Sequence, residues 1–76
     1  MLNADLTIDT RGLSCPLPLL KLKKALQSLS SGQTVLISAT DPASVLDFGV
    51  FVEQTRHEML EQRQDDDLFL FLIRKV

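Results

Sequence analysis

Residues 68–73, Leu-Phe-Leu-Phe-Leu-Ile, are apolar at every position. An extended chain sends successive side chains to opposite faces of a sheet. Such a run therefore belongs where both faces are shielded, in the middle of a sheet. The preceding segment 57–63, His-Glu-Met-Leu-Glu-Gln-Arg, carries charge and suits a sheet edge. Gln64-Asp65-Asp66-Asp67 between them reads as a turn, so the pair forms an antiparallel hairpin. The three aspartates lack the alternating ligands and later Glu of a calcium loop.

The remaining elements follow from periodicity. Leu6-Thr7-Ile8-Asp9 alternates apolar and polar, as a short strand does. Leu19, Leu22, Leu26 and Leu29 recur at helical spacing, which predicts a helix over 16–29. Ser30-Ser31-Gly32 stops it, with Gly32 near the C-terminal cap. Residues 35–39, Val-Leu-Ile-Ser-Ala, form a second strand. Asp41 suits an N-cap and Pro42 a first helical position, opening a second helix. Val45, Phe48 and Val52, with Leu46 and Phe51, form its expected buried face. Gly49 within it costs about 1 kcal/mol against Ala, and its small size would permit close approach of another element.

The order is β-α-β-α-β-β. Two helices on one face of a four-stranded mixed sheet, an α+β two-layer sandwich, is the economical packing. The first β-α-β unit is expected to be parallel and right-handed. With helices on one face only, Leu36, Phe69, Phe71 and Ile73 cannot all point to them if Leu68, Leu70 and Leu72 do, so the open face carries some apolar residues. They are either ordinary exposed apolar residues or a contact patch.

The 76 residues fit one domain over 1–76. A net charge of −2 gives no general drive toward nucleic acid or anionic membrane. One cysteine makes no internal disulfide and no multi-thiolate zinc site. No apolar stretch approaches a membrane span, and Met1-Leu2-Asn3-Ala4-Asp5 is not a secretory signal. A cytoplasmic, reducing setting is the expectation, with no metal and no organic cofactor.

The chemistry is concentrated in Arg11-Gly12-Leu13-Ser14-Cys15-Pro16-Leu17-Pro18. Gly12 supplies a backbone angle other residues resist. Pro16 and Pro18 fit a first helical turn, whose amides have no intrahelical acceptor. A proline disfavours the helical region for the residue before it, so Cys15 is expected to be extended, as an N-cap. The helix dipole and the amides of Leu17 and Leu19 would then favour thiolate, the nucleophilic form. His57 is either an exposed strand-end residue or a partner for Cys15. Arg11, Lys21, Lys23, Lys24, Arg74 and Lys75 are either solvated or contacts for an anion or an acidic partner surface.

Asp9-Thr10-Arg11-Gly12-Leu13-Ser14-Cys15-Pro16-Leu17-Pro18 resembles the signature of the TusA (SirA-like) sulfurtransferases, Cys-Pro-x-Pro at the start of the first helix. The likeness continues through Asp41-Pro42, through 51–60 with His57, and into Leu72-Ile73-Arg74-Lys75. It implies a fold like the C-terminal domain of a bacterial translation initiation factor, with strand order 1-2-4-3. It also implies a persulfide sulfur carried on Cys15, taken from a donor such as a cysteine desulfurase or rhodanese and passed to an acceptor protein. Gly12, Pro16, Leu17 and Pro18 would support the charged sulfur; Arg11, Lys21, Lys24 and Arg74 would contact partners or anions. Family destinations include tRNA thiolation, molybdenum cofactor assembly and sulfur oxidation, so nucleic acid enters only indirectly; some relatives are tied to selenium. A monomer or weak dimer is expected. Leu17 departs from the acidic residue that well-known relay members carry between the prolines, which suggests a more apolar docking site. Rival readings are an RNA-binding module and a redox-sensing regulatory module.

Overall fold

The computed structural model describes residues 3–76. Its elements are β1 (Leu6–Thr10), α1 (Leu17–Gln27), β2 (Thr34–Ala39), α2 (Ala43–Thr55), β3 (Glu58–Asp65) and β4 (Leu68–Arg74). They form one four-stranded sheet in the order β1-β2-β4-β3. β1 and β2 are parallel, whereas β4 runs antiparallel to both β2 and β3. The all-apolar strand is thus central and the charged strand β3 is an edge, as the sequence requires. One extra residue, Leu60, enters β3 between Met59 and Glu61, where the register with β4 shifts.

One face of the sheet carries the core. Val35, Ile37 and Ala39 of β2 and Phe69, Phe71 and Ile73 of β4 alternate onto it. Leu22, Ala25 and Leu26 of α1 and Phe48 and Val52 of α2 close it from the helical side. Phe48 meets Phe71 edge-on, with ring centroids 4.7 Å apart, an arrangement favoured by the ring quadrupoles.

The buried stripe of α2 is Ser44, Phe48 and Val52, with Val45 and Phe51 flanking it. Leu46, expected in the core, is 71% exposed instead. It lies about 200° around the helix from Ser44, given 100° per residue. Gly49 is exposed, and a Cβ there would meet nothing within 4 Å, so no close approach explains it.

On the open face, Leu36, Leu68, Leu70 and Leu72 are half-buried. Their neighbours on β3 are charged. Glu61 lies opposite Leu72 and Arg63 opposite Leu70, and these two pair with each other at 3.1 Å. Such side chains shield apolar surface with their stems.

α1 stops at Gln27, earlier than its leucine stripe suggests. The Ser28 amide and hydroxyl both donate to the Ala25 carbonyl, at 3.0 and 2.8 Å, and tighten the last turn. Lys75 clasps this end. Its Nζ donates to the Leu29 carbonyl at 2.7 Å, its amide to Gln33, and its carbonyl accepts from Gly32. Gly32 sits in this connecting loop at φ 88° rather than at the helix cap.

Candidate functional site

The site lies where β1 and β2 end and both helices begin. β1 ends at Thr10, whose buried hydroxyl donates to the Ser38 carbonyl of β2. The chain then turns through Thr10-Arg11-Gly12-Leu13, closed by the Leu13 amide on the Thr10 carbonyl at 3.2 Å. Gly12 at φ 81° makes this turn possible. Its amide donates to Thr40 Oγ1 at 2.9 Å, tying the loop to the end of β2.

A second turn follows. The Leu17 amide donates to the Ser14 carbonyl at 2.9 Å, and the Cys15–Pro16 peptide bond is cis. Pro16 is the N-cap of α1, so Cys15 stands one residue before the cap and not on it. The Leu17 amide, expected to face the sulfur, is already taken. Pro18 is fully buried and anchors the first turn, while Cys15 and Leu17 remain exposed.

Two aspartates hold Cys15. Asp41 Oδ2 accepts the Cys15 amide at 2.7 Å, and its Oδ1 accepts the Ala43 amide of α2 at 3.1 Å. The expected capping role of Asp41 is thus carried out from just ahead of Pro42, with the Ser44 amide also on the Asp41 carbonyl. Asp47, in the second turn of α2, accepts a hydrogen bond from the Cys15 thiol at 2.9 Å. Sequence reasoning missed Asp47. The available signal was an acidic residue six positions after Asp41, which helical spacing alone reads as solvated.

These contacts reverse the expected electrostatics. The Asp47 hydrogen bond pushes the Cys15 thiol up from its ordinary range, desolvation adds to it, and the charges of Asp47 and Asp41 add further. Thiolate beside a carboxylate loses its hydrogen bond and gains a like-charge neighbour. The start of α1 is present, but the group that bonds the sulfur directly is the Asp47 carboxylate.

The cations fall elsewhere. Arg11 makes a two-pronged pair with Asp9, Nε to Oδ1 and Nη2 to Oδ2, both at 2.9 Å. That pairing holds the Asp9 carboxyl well below the usual carboxylate range. Arg74 pairs with Glu58 across the β3–β4 ladder. It lies opposite Thr34, at the start of β2, so it sits at the other end of the sheet from Cys15. His57, next to Glu58 in sequence, accepts the Val76 amide on Nδ1 at 3.2 Å, so it makes no pair with Cys15. The helix lysines divide. Lys21 and Lys24 flank a surface cavity of about 310 Å³ against Leu6 and Ile8, whereas Lys23 lies over the Phe51 ring, 5.7 Å from its centroid. No helix among the described residues is long and apolar enough to cross a membrane.

The chain is similar to known proteins in sequence and fold. The family model for sulfurtransferase TusA matches residues 6–75. The sulfur carrier protein TusA of Allochromatium vinosum is 47% identical over 75 residues, covering 99% of both chains. A putative sulfur carrier protein of Bacillus subtilis, YrkI, is 35% identical over 97% of this chain and 99% of its own. The crystal structure of a SirA-like protein from Desulfitobacterium hafniense superposes with a TM-score of 0.80 at 27% identity, over 91% of this chain and 95% of that one. A mixed 1-2-4-3 sheet, a Cys-Pro-Leu-Pro turn and a match over nearly the whole length make this chain a member of the TusA sulfurtransferase family, the sulfur carriers.

Proposed function

We propose that Cys15 is the atom that bears the relayed sulfur, as a persulfide exchanged between two partner proteins. The observation that carries this is the exposed Cys15 thiol at the loop–helix junction, in the only cysteine of the chain. In the loading step the Cys15 sulfur attacks the outer sulfur of a donor persulfide. The bond between the donor's two sulfurs breaks, the donor leaves as a thiol, and Cys15–SH becomes Cys15–S–SH. Discharge repeats the exchange, with an acceptor thiol attacking the outer sulfur and Cys15 leaving. Neither step changes the net oxidation state, so the chain itself needs no metal or organic cofactor.

The donor we propose is a cysteine desulfurase or rhodanese-type protein in a reducing cytoplasm, and the acceptor another carrier cysteine. Leu17, 46% exposed and two residues from the thiol, gives the docking surface an apolar element. Gly12 and Pro18 support the site by shaping the loop and anchoring the helix turn. Arg11 and Arg74 are engaged in pairs within the chain, which leaves Lys21 and Lys24 as the cations for an acidic partner surface.

The test is intact-protein mass spectrometry after incubation with a cysteine desulfurase and cysteine. One added sulfur atom on the wild type, released by a reductant and missing from Cys15→Ser, is the expected result. An unmodified wild type, or equal modification of Cys15→Ser, removes the basis of the reading.

A further inference from the structure

We propose that the Asp47 carboxylate holds the unloaded Cys15 sulfur as a hydrogen-bonded thiol, and that a cationic group on the docked donor releases it by taking that carboxylate. This deepens the reading of Cys15 as the sulfur-bearing atom and rests on it.

The thiol donates directly to Asp47 Oδ2 at 2.9 Å. The acidic groups that bear on the sulfur are Asp47, from the second turn of α2, and Asp41, from the loop ahead of it. Neither belongs to any of the three ion pairs among the described residues. On the Cys15 side, the loop after β1 offers Arg11, which is committed to Asp9. The first turn of α1 offers Pro16, Leu17, Pro18, Leu19 and Leu20, with no cation. The sulfur therefore stands in solvent beside two carboxylates with no compensating positive charge at hand.

Asp47 is not suited to deprotonate the resting thiol. An ordinary carboxylic acid is more acidic than an ordinary thiol by roughly four to five pKa units, so the proton stays on sulfur. The carboxylate acts instead as a fixed acceptor and a fixed charge. Both stabilise Cys15–SH and oppose Cys15–S⁻. A carrier in this state resists oxidation and stray alkylation, which proceed through thiolate. An arginine or lysine brought against Asp47 removes both effects at once: the hydrogen bond is redirected and the charge neutralised. The proton then leaves to solvent, and the thiolate attacks the donor's outer sulfur. The device couples reactivity to docking with no movement of the backbone.

The experiment is the pH dependence of Cys15 alkylation by iodoacetamide in the wild type, Asp47→Asn and Asp47→Lys. The expected order of thiol midpoints is wild type highest, Asn lower, Lys lowest. A shift of about one unit gives about tenfold more thiolate below both midpoints. A less basic thiolate is a weaker nucleophile, which takes back about threefold. Asp47→Asn should thus react about threefold faster than wild type near neutral pH and about threefold slower on the alkaline plateau. That crossing of the two profiles separates altered acidity from altered access, since a more open site would speed both limbs. Asp47→Ser is carried alongside as a small neutral replacement, and thermal melts identify the folded variants, any one of which suffices. Midpoints that coincide with wild type, or rise, overturn the proposal. Persulfide loading is measured separately. If the wild type loads while the midpoints coincide, only the Asp47 inference falls. If the midpoints shift while nothing loads, it is the carrier reading that falls.

Discussion

The Cys15 amide donates to Asp41 Oδ2 at 2.7 Å, across 26 positions of sequence, while the other oxygen of the same carboxylate takes the Ala43 amide. One side chain thus fastens the loop before α1 to the start of α2. Replacing Asp41 by Ala removes a cap and orphans the Cys15 amide together. We expect a loss of about 1–2 kcal/mol, read as a lower urea midpoint with an unchanged slope. Asp41→Asn, which keeps an acceptor oxygen, should lose less.

Gly12 and Gly49 should respond to alanine with opposite signs. A Cβ at either position meets nothing within 4 Å, so sterics with neighbours decide neither. Gly12 sits at φ 81°, where an L side chain is strained, and Ala should destabilise by about 1 kcal/mol. Gly49 lies inside α2, where Ala should stabilise by about 0.5–1 kcal/mol. Thermal melts of the two single variants and of the double variant check both signs.

Phe71→Ala should be severe. The ring is fully buried in the central strand and packs against Phe48. Losses of about 3–5 kcal/mol are usual for such truncations, and small domains are only marginally stable. The expected outcome is a chain largely unfolded at 37 °C by circular dichroism, whereas Phe71→Leu should fold with a lower melting temperature.

Asp9 gives the chain an acid-side dependence. Its carboxyl holds a proton less readily folded than unfolded, because Arg11 donates to it. Below the unfolded value, near pH 4, the unfolded state takes up the proton first. Stability is therefore present above that pH and falls as the solution is acidified toward the folded value. Asp9→Asn should flatten this part of the stability–pH curve, measured by urea unfolding from pH 6 to pH 2. Both groups are exposed, so the change is modest.

Much of the fold was legible because local pattern and global packing agree. The unbroken apolar run demanded the central position that β4 occupies, and the charged segment demanded the edge. The pairing order itself came from the resemblance, since periodicity does not say which strands touch. α2 was harder. Its inward stripe begins with Ser44, a polar residue that a hydrophobicity reading passes over, so Leu46 was given a place it does not have.

The site was half legible. The Gly-loop and the paired prolines located the thiol and its helix. The Cys15–Asp47 contact joins residues 32 apart in sequence, and the spacing along one helix carries no information about a partner on another. Reasoning from α1 alone saw the dipole and missed the carboxylate, whose hydrogen bond and charge push the thiol up.

The Lys75 clasp has a practical consequence for anyone handling this protein. Lys75, just past the end of β4, is tied into the loop after α1 by main-chain and side-chain bonds alike. An affinity tag or fluorescent fusion joined directly to Val76 would pull on that knot, and a few glycine–serine residues in between should leave it intact.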